Sequence, residues 1–216
     1  MKHLLLALFL SVALIGCSDN GTPDKQTQAD IAAGKVVADT ECKGCHGLDG
    51  KGTAAGIPNL AGQRGRYLMA SLKEYKDRVR THAALRTIAA NMSEADTRAV
   101  AAYYASLPPI PATKMPVFSP YERGKVVAAD CANCHGADGN SKTPGTPNLA
   151  GQQPRYFVTA TQEYLQGLRA SAPMDPMLRK LNRLDLESVA LYYASQTPAP
   201  RSAPSTGDAA FRSIST

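Results

Sequence analysis

A chain of 216 residues has room for about one or two small domains. Its composition is ordinary for a globular protein, with 44% apolar and 19% charged residues, but it has no Trp and only four Phe. Two cores built from Ala, Val, Leu and Tyr would be small and call for something further to fill them. The formal charge of +6 raises nucleic acid as a partner, yet the basic residues are scattered with no Lys/Arg run, and the N-terminus reads as an export signal, so nucleic acid is excluded.

The chain opens with Lys2 and His3, followed by an apolar run over residues 4–15. That run is shorter than the roughly 20 residues that span a bilayer and matches the apolar region of a secretory signal. It closes on Leu14-Ile15-Gly16-Cys17, which resembles the bacterial lipobox. The resemblance implies cleavage before Cys17 and a lipid anchor on Cys17; the plainer alternative is an ordinary signal peptide with Cys17 near its cut. Several acyl chains would hold the protein firmly, whereas one alone binds weakly. Residues 1–16 are then the signal and residues 17–28 a flexible polar tether. The protein is expected on the periplasmic side of a bacterial membrane, inner or outer.

The rest of the chain is an internal duplication. Cys42-Lys43-Gly44-Cys45-His46-Gly47 matches Cys131-Ala132-Asn133-Cys134-His135-Gly136 at an offset of 89. The same offset relates Pro58-Asn59-Leu60-Ala61-Gly62-Gln63 to Pro147-Asn148-Leu149-Ala150-Gly151-Gln152, Arg66-Tyr67 to Arg155-Tyr156, and Tyr103-Tyr104-Ala105-Ser106 to Tyr192-Tyr193-Ala194-Ser195. Within each repeat three stretches read as helix. In the first copy these are 31–39, running up to the Cys pair; 66–79, with Leu68, Leu72 and Tyr75 at helical spacing; and a final helix opened by Ser93 as N-cap with acidic residues in its first turn. Gly and Pro make 47–65 a loop, and no stretch alternates like a strand. The fold class is therefore all-α: two tandem domains, 29–107 and 120–196, joined by a stiff Pro-rich linker, 108–119, and followed by a disordered tail, 197–216.

Five Cys are present. Beside Cys17 they form two tight pairs, Cys42/Cys45 and Cys131/Cys134, each followed directly by His. Cys-x-x-Cys-His is the attachment signature of covalent haem. Two thiols reach two vinyl groups on one porphyrin edge, and the adjoining imidazole of His46 or His135 lies under the iron. A thioredoxin-like motif lacks the His and needs a βαβ context. A four-Cys zinc site needs both pairs in one module, and a disulfide across two residues would be strained. The motif thus predicts two haem c groups, one per domain.

The mature chain resembles the class I cytochromes c, and its layout resembles the di-haem group of the cytochrome c-four type. The resemblance rests on Cys-x-x-Cys-His-Gly, Pro-Asn-Leu-Ala-Gly-Gln and the final Ala-Tyr-Tyr-Ala-Ser (Leu-Tyr-Tyr-Ala-Ser in the second copy), over about residues 30–196. It implies an electron carrier, not an enzyme, whose sixth iron ligand is a Met in the loop before the last helix. In the second domain Met174 and Met177 are the candidates, and Met174 fits the family pattern better. In the first domain Leu85 stands where that Met should be, and Leu binds no metal. His82 is then the nearest ligand, with an open iron, Met92 or Met69 as alternatives. Pro58 and Pro147 resemble the proline whose carbonyl orients the proximal imidazole. Tyr67, Tyr75, Tyr156 and Tyr164 are expected to pack in the core or to face haem propionates. The implied partners are a quinol-oxidising complex or a dehydrogenase as donor and a terminal oxidase or reductase as acceptor. The alternatives are a dedicated electron-transfer subunit of a dehydrogenase, for example for sulfide or an alcohol, and a haem enzyme or gas sensor acting at an open first haem.

Overall fold

Each half of the chain builds its helices from the same local signals, and the computed structural model describes residues 25–112 and 119–200. The expected signal, Cys17, residues 17–24 of the tether, the middle of the linker and residues 201–216 lie outside the described residues. In the first half, α1 (Lys25–Val37) runs through a wide π-type turn (Ala38–Cys42) into α2 (Lys43–His46). There Gly47, at φ 65°, ends the helix in a conformation that suits glycine. Then come α3 (Gly65–Lys76), α4 (Ala83–Asn91) and α5 (Glu94–Ser106). The second half repeats the order: α6 (Ser119–Val127), a 3₁₀ turn (Ala128–Asp130), α7 (Ala132–His135), α8 (Pro154–Leu165), α9 (Met174–Leu178) and α10 (Arg183–Ala194). No strand occurs among the described residues.

The expected Ser93 cap is present: its hydroxyl accepts from Asp96 N, and the Asp96 carboxylate accepts from Ser93 N. Asn182 and Asp185 form the same reciprocal pair before α10, satisfying backbone donors that a helix start leaves open. Three expectations change. The first helix starts at Lys25, so residues 25–28, read as tether, are helical. The short helices α4 and α9 occupy loops where no helix was expected, because stretches of nine and five residues are too short to show a period. Residues 197–200, read as disordered tail, are held by Asn140, which donates to Thr197 O and accepts from Ala199 N.

In each half the first and last helices cross at a glycine. A Cβ on Gly34 would lie 2.0 Å from Ala99 O, and one on Gly124 would lie 2.0 Å from Ser188 O. Only glycine permits this approach, and it brings the Tyr pairs of α5 and α10 over the Cys motifs. One core gathers Ala38, Leu68, Met69, Met92, Val100 and Tyr104; the other gathers Ala128, Val189, Tyr192 and Tyr193.

The two halves meet through their Pro-Asn-Leu-Ala-Gly-Gln loops in a two-fold pattern. Gln152 accepts from Asn59 N at 2.9 Å and donates to Asn59 O at 3.0 Å; Gln63 accepts from Asn148 N at 2.9 Å and donates to Asn148 O at 3.0 Å. The Asn59 side chain donates to Gly151 O, and that of Asn148 donates to Gly62 O. Gln63 and Gln152 are buried, and every amide group they present meets a partner, as burial requires.

Candidate haem centres

Helix and loop together aim each Cys motif. Cys42 and Cys131 sit in the turn that ends the first helix of their half, and His46 and His135 close the short helix that follows. The Nδ1 of His46 lies 3.0 Å from Pro58 O, and that of His135 lies 3.0 Å from Pro147 O. Since the carbonyl only accepts, Nδ1 must donate, which leaves Nε2 with a free lone pair. Burial lowers both imidazole pKa values against the raising effect of the proline carbonyls, so both rings favour the neutral, ligating form. None of these four Cys forms a disulfide. Burial pushes Cys42 and Cys131 up to about 11, which keeps them as thiols. Among the described residues no group of three or more His, Cys, Asp or Glu could hold a bare metal ion. The donor set fits covalent haem, with two thiols and one oriented imidazole per half.

The loop behind each imidazole is fastened to the last helix. Tyr103 and Tyr104 donate to Leu48 O at 2.8 Å and Gly47 O at 3.0 Å, and Tyr192 donates to Ala137 O at 2.9 Å. Gly62 N and Gly151 N each donate at 3.0 Å to the carbonyl of the second Tyr of the pair.

The two sixth-ligand loops differ. Met174 is the first residue of α9 and Met177 lies one turn on; both are half-buried. Their counterparts Leu85 and Ile88 lie in α4, and Ile88 packs against the first core. Met69 and Met92 are buried in that core. His82 is exposed and is the N-cap of α4, its Nδ1 accepting from Leu85 N at 3.3 Å. Its ring stands edge-on to Tyr75 at 6.5 Å between centroids. It is close enough to act on His46, whose pKa it lowers after the larger effects of burial and Pro58.

A buried cluster was not foreseen. Arg80 and Arg169, which stand just before the two sixth-ligand loops, are 5% and 4% exposed. Arg80 lies over the rings of Tyr67 and Tyr75 at 5.7 and 5.4 Å, and Arg169 over Tyr156 and Tyr164 at 5.7 Å each. Glu163 pairs with Arg169, and Glu74 lies 2.5 Å from Arg80 Nε without hydrogen-bond alignment. Burial alone would raise Tyr67, but Arg80 and Arg169 outweigh it and lower its pKa. Burial and then Tyr67 raise that of Tyr156. The two domains therefore share one electrostatic unit. Its only sequence signal is that Arg, Glu and both Tyr recur in each copy.

The family model for cytochrome c matches residues 31–108 and again 121–192. The chain belongs to the cytochrome c family. It is 30% identical to cytochrome c4 of Pseudomonas aeruginosa, over 89% of this chain and 98% of that protein. It is also 30% identical to a thiosulfate dehydrogenase electron acceptor of Stutzerimonas stutzeri, over 71% of this chain and 78% of that protein. The solved cytochrome c4 of Acidithiobacillus ferrooxidans superposes with a TM-score of 0.66 at 28% identity, covering 72% of this chain and 99% of that one. The chain is a di-haem c-type cytochrome of the cytochrome c4 kind, carries two covalent haem c groups, and acts in electron transfer. For this cytochrome, the two tandem all-α domains are the regions that the family match covers. No helix among the described residues is long and apolar enough to cross a membrane.

Proposed function

We propose that this cytochrome is a lipid-anchored electron carrier of a respiratory chain, held by Cys17 on the periplasmic side of a bacterial membrane. Haem 1 is attached at Cys42 and Cys45, with His46 and His82 as axial ligands. Haem 2 is attached at Cys131 and Cys134, with His135 and Met174. Met174 is favoured over Met177 because Ile88, the counterpart of Met177, serves as a packing residue in the first domain. The iron supplies the chemistry by cycling between Fe(II) and Fe(III). The protein orients the imidazoles, keeps their Nε2 unprotonated and surrounds them with Tyr-clamped loops. The observation that carries the reading is the reciprocal Asn/Gln interface, which holds two equivalent Cys-x-x-Cys-His sites in one body.

Thioether ligation favours Fe(II) and a second imidazole favours Fe(III), so haem 1 has the lower potential and is the natural entry point. Electrons come from a quinol-oxidising complex and leave to a terminal oxidase or reductase. The second reading, a dedicated acceptor for one dehydrogenase, is favoured by the similarity to thiosulfate dehydrogenase electron acceptors. Membranes supplied with a quinol should reduce both haems, and a terminal oxidase should re-oxidise them. Reduction only by thiosulfate with its dehydrogenase, and none by quinol, would replace the first reading with the second.

A further inference from the structure

The first domain uses one side chain in two incompatible ways. His82 caps α4 by accepting the Leu85 N–H on Nδ1 at 3.3 Å. In that position Nδ1 carries no proton, so a neutral ring keeps its proton on Nε2, which then has no lone pair to offer a metal. Ligation through Nε2 moves the proton to Nδ1, where it would face the Leu85 N–H donor to donor. Capping α4 and binding iron therefore exclude each other. The capping bond gives a departing His82 a defined place to go. Tyr75 stands edge-on to the ring in that place, 6.5 Å between centroids.

No other residue of the loop takes over when His82 caps. Leu85 and Ile88 are apolar, and Met69 and Met92 are buried in the core beneath. The second domain has no such conflict: Met174 begins α9 and no side chain caps that helix, so nothing competes for its thioether.

We infer that haem 1 is an exchangeable-ligand site, at which His82 alternates between the iron and the α4 cap, and that with His82 capping, the site takes a small uncharged π-acceptor ligand on the ferrous haem. The inference rests on His82 as the haem 1 ligand proposed above.

The probe is carbon monoxide added to the reduced full-length holoprotein, followed by the haem absorbance. One haem of the two should bind it. In the wild type the observed rate should level off with carbon monoxide concentration at the rate of His82 release. His82→Asn keeps a strong capping side chain and removes the imidazole. Its rate should rise linearly and exceed the wild-type plateau at least tenfold, with an unchanged helical circular dichroism signal. If wild type binds as fast and as linearly as His82→Asn, His82 is not on the iron, and both the ligand assignment and this inference fall. If wild type refuses carbon monoxide while His82→Asn takes it, the assignment stands and the exchange is overturned.

Discussion

Gln152 and Gln63 tie the two domains together through equivalent bonds, and Gln152→Leu tests how much such a tie contributes. The change removes three hydrogen bonds: Asn59 N to Oε1 at 2.9 Å, Gln153 N to Oε1 at 2.9 Å, and Nε2 to Asn59 O at 3.0 Å. Leu fills a similar volume, so no large cavity opens. The site is only 9% exposed, and water replaces the lost partners incompletely. A net loss of about 1 kcal/mol per bond, rising toward 1–3 kcal/mol for a stranded buried group, is offset by about 1 kcal/mol for the apolar surface Leu buries. The expected destabilisation is about 2–3 kcal/mol. In a protein of this size that lowers Tm by roughly 4–12 °C. Guanidinium unfolding of the holoprotein followed by far-ultraviolet circular dichroism measures it. Gln63→Leu deletes the matching contacts to Asn148 and Arg64 N and should lose the same amount. A loss below about 0.5 kcal/mol would refute the argument that buried reciprocal amides hold the interface. Two variants differing by more than about 1 kcal/mol would refute the two-fold equivalence of its halves.

Arg78 adopts φ 64° where its counterpart Gly167 adopts φ 72°, so Arg78→Gly relieves a left-handed strain of about 1 kcal/mol, less the entropy glycine adds to the unfolded chain; Tm should hold or rise, and a clear fall would show that the arginine side chain matters more than its backbone. Acid stability is set in part by the helix caps: hydrogen bonds from Ser93 hold Asp96, and those from Asn182 hold Asp185, below the ordinary 3.8 of a carboxyl. A depressed folded-state pKa contributes stability that is present above the unfolded value and lost as pH falls through the folded one. The caps' share of the unfolding free energy should therefore be constant near neutrality and decline below about pH 4, and Asp96→Asn should weaken that decline; an unchanged acid limb would refute the capping account.

Motif, spacing and repeat determined much of this protein before any coordinates. Cys-x-x-Cys-His specifies haem attachment within five residues, because two thioethers at one porphyrin edge and one imidazole at the iron must come from neighbouring residues. Ser93 with Asp96 marks a helix start for an equally local reason, and the offset of 89 carries each assignment from one half to the other. The proline carbonyls on His46 and His135 were also foreseen, through the resemblance, and the structure brings each pair to 3.0 Å. What the sequence left open depends on groups brought together across long separations. Asn59 and Gln152, 93 residues apart, show no local sign that they exchange hydrogen bonds. Arg80 and Arg169 carry no local sign that Tyr67, Tyr75, Tyr156 and Tyr164 close over them. His82 reads as a spare ligand, and only the fold shows that the same ring caps α4 through Nδ1. A capping or coordinating bond needs a few adjacent atoms and is written in the local sequence. Burial and domain pairing are collective properties of the packed chain, and only the tertiary structure decides them.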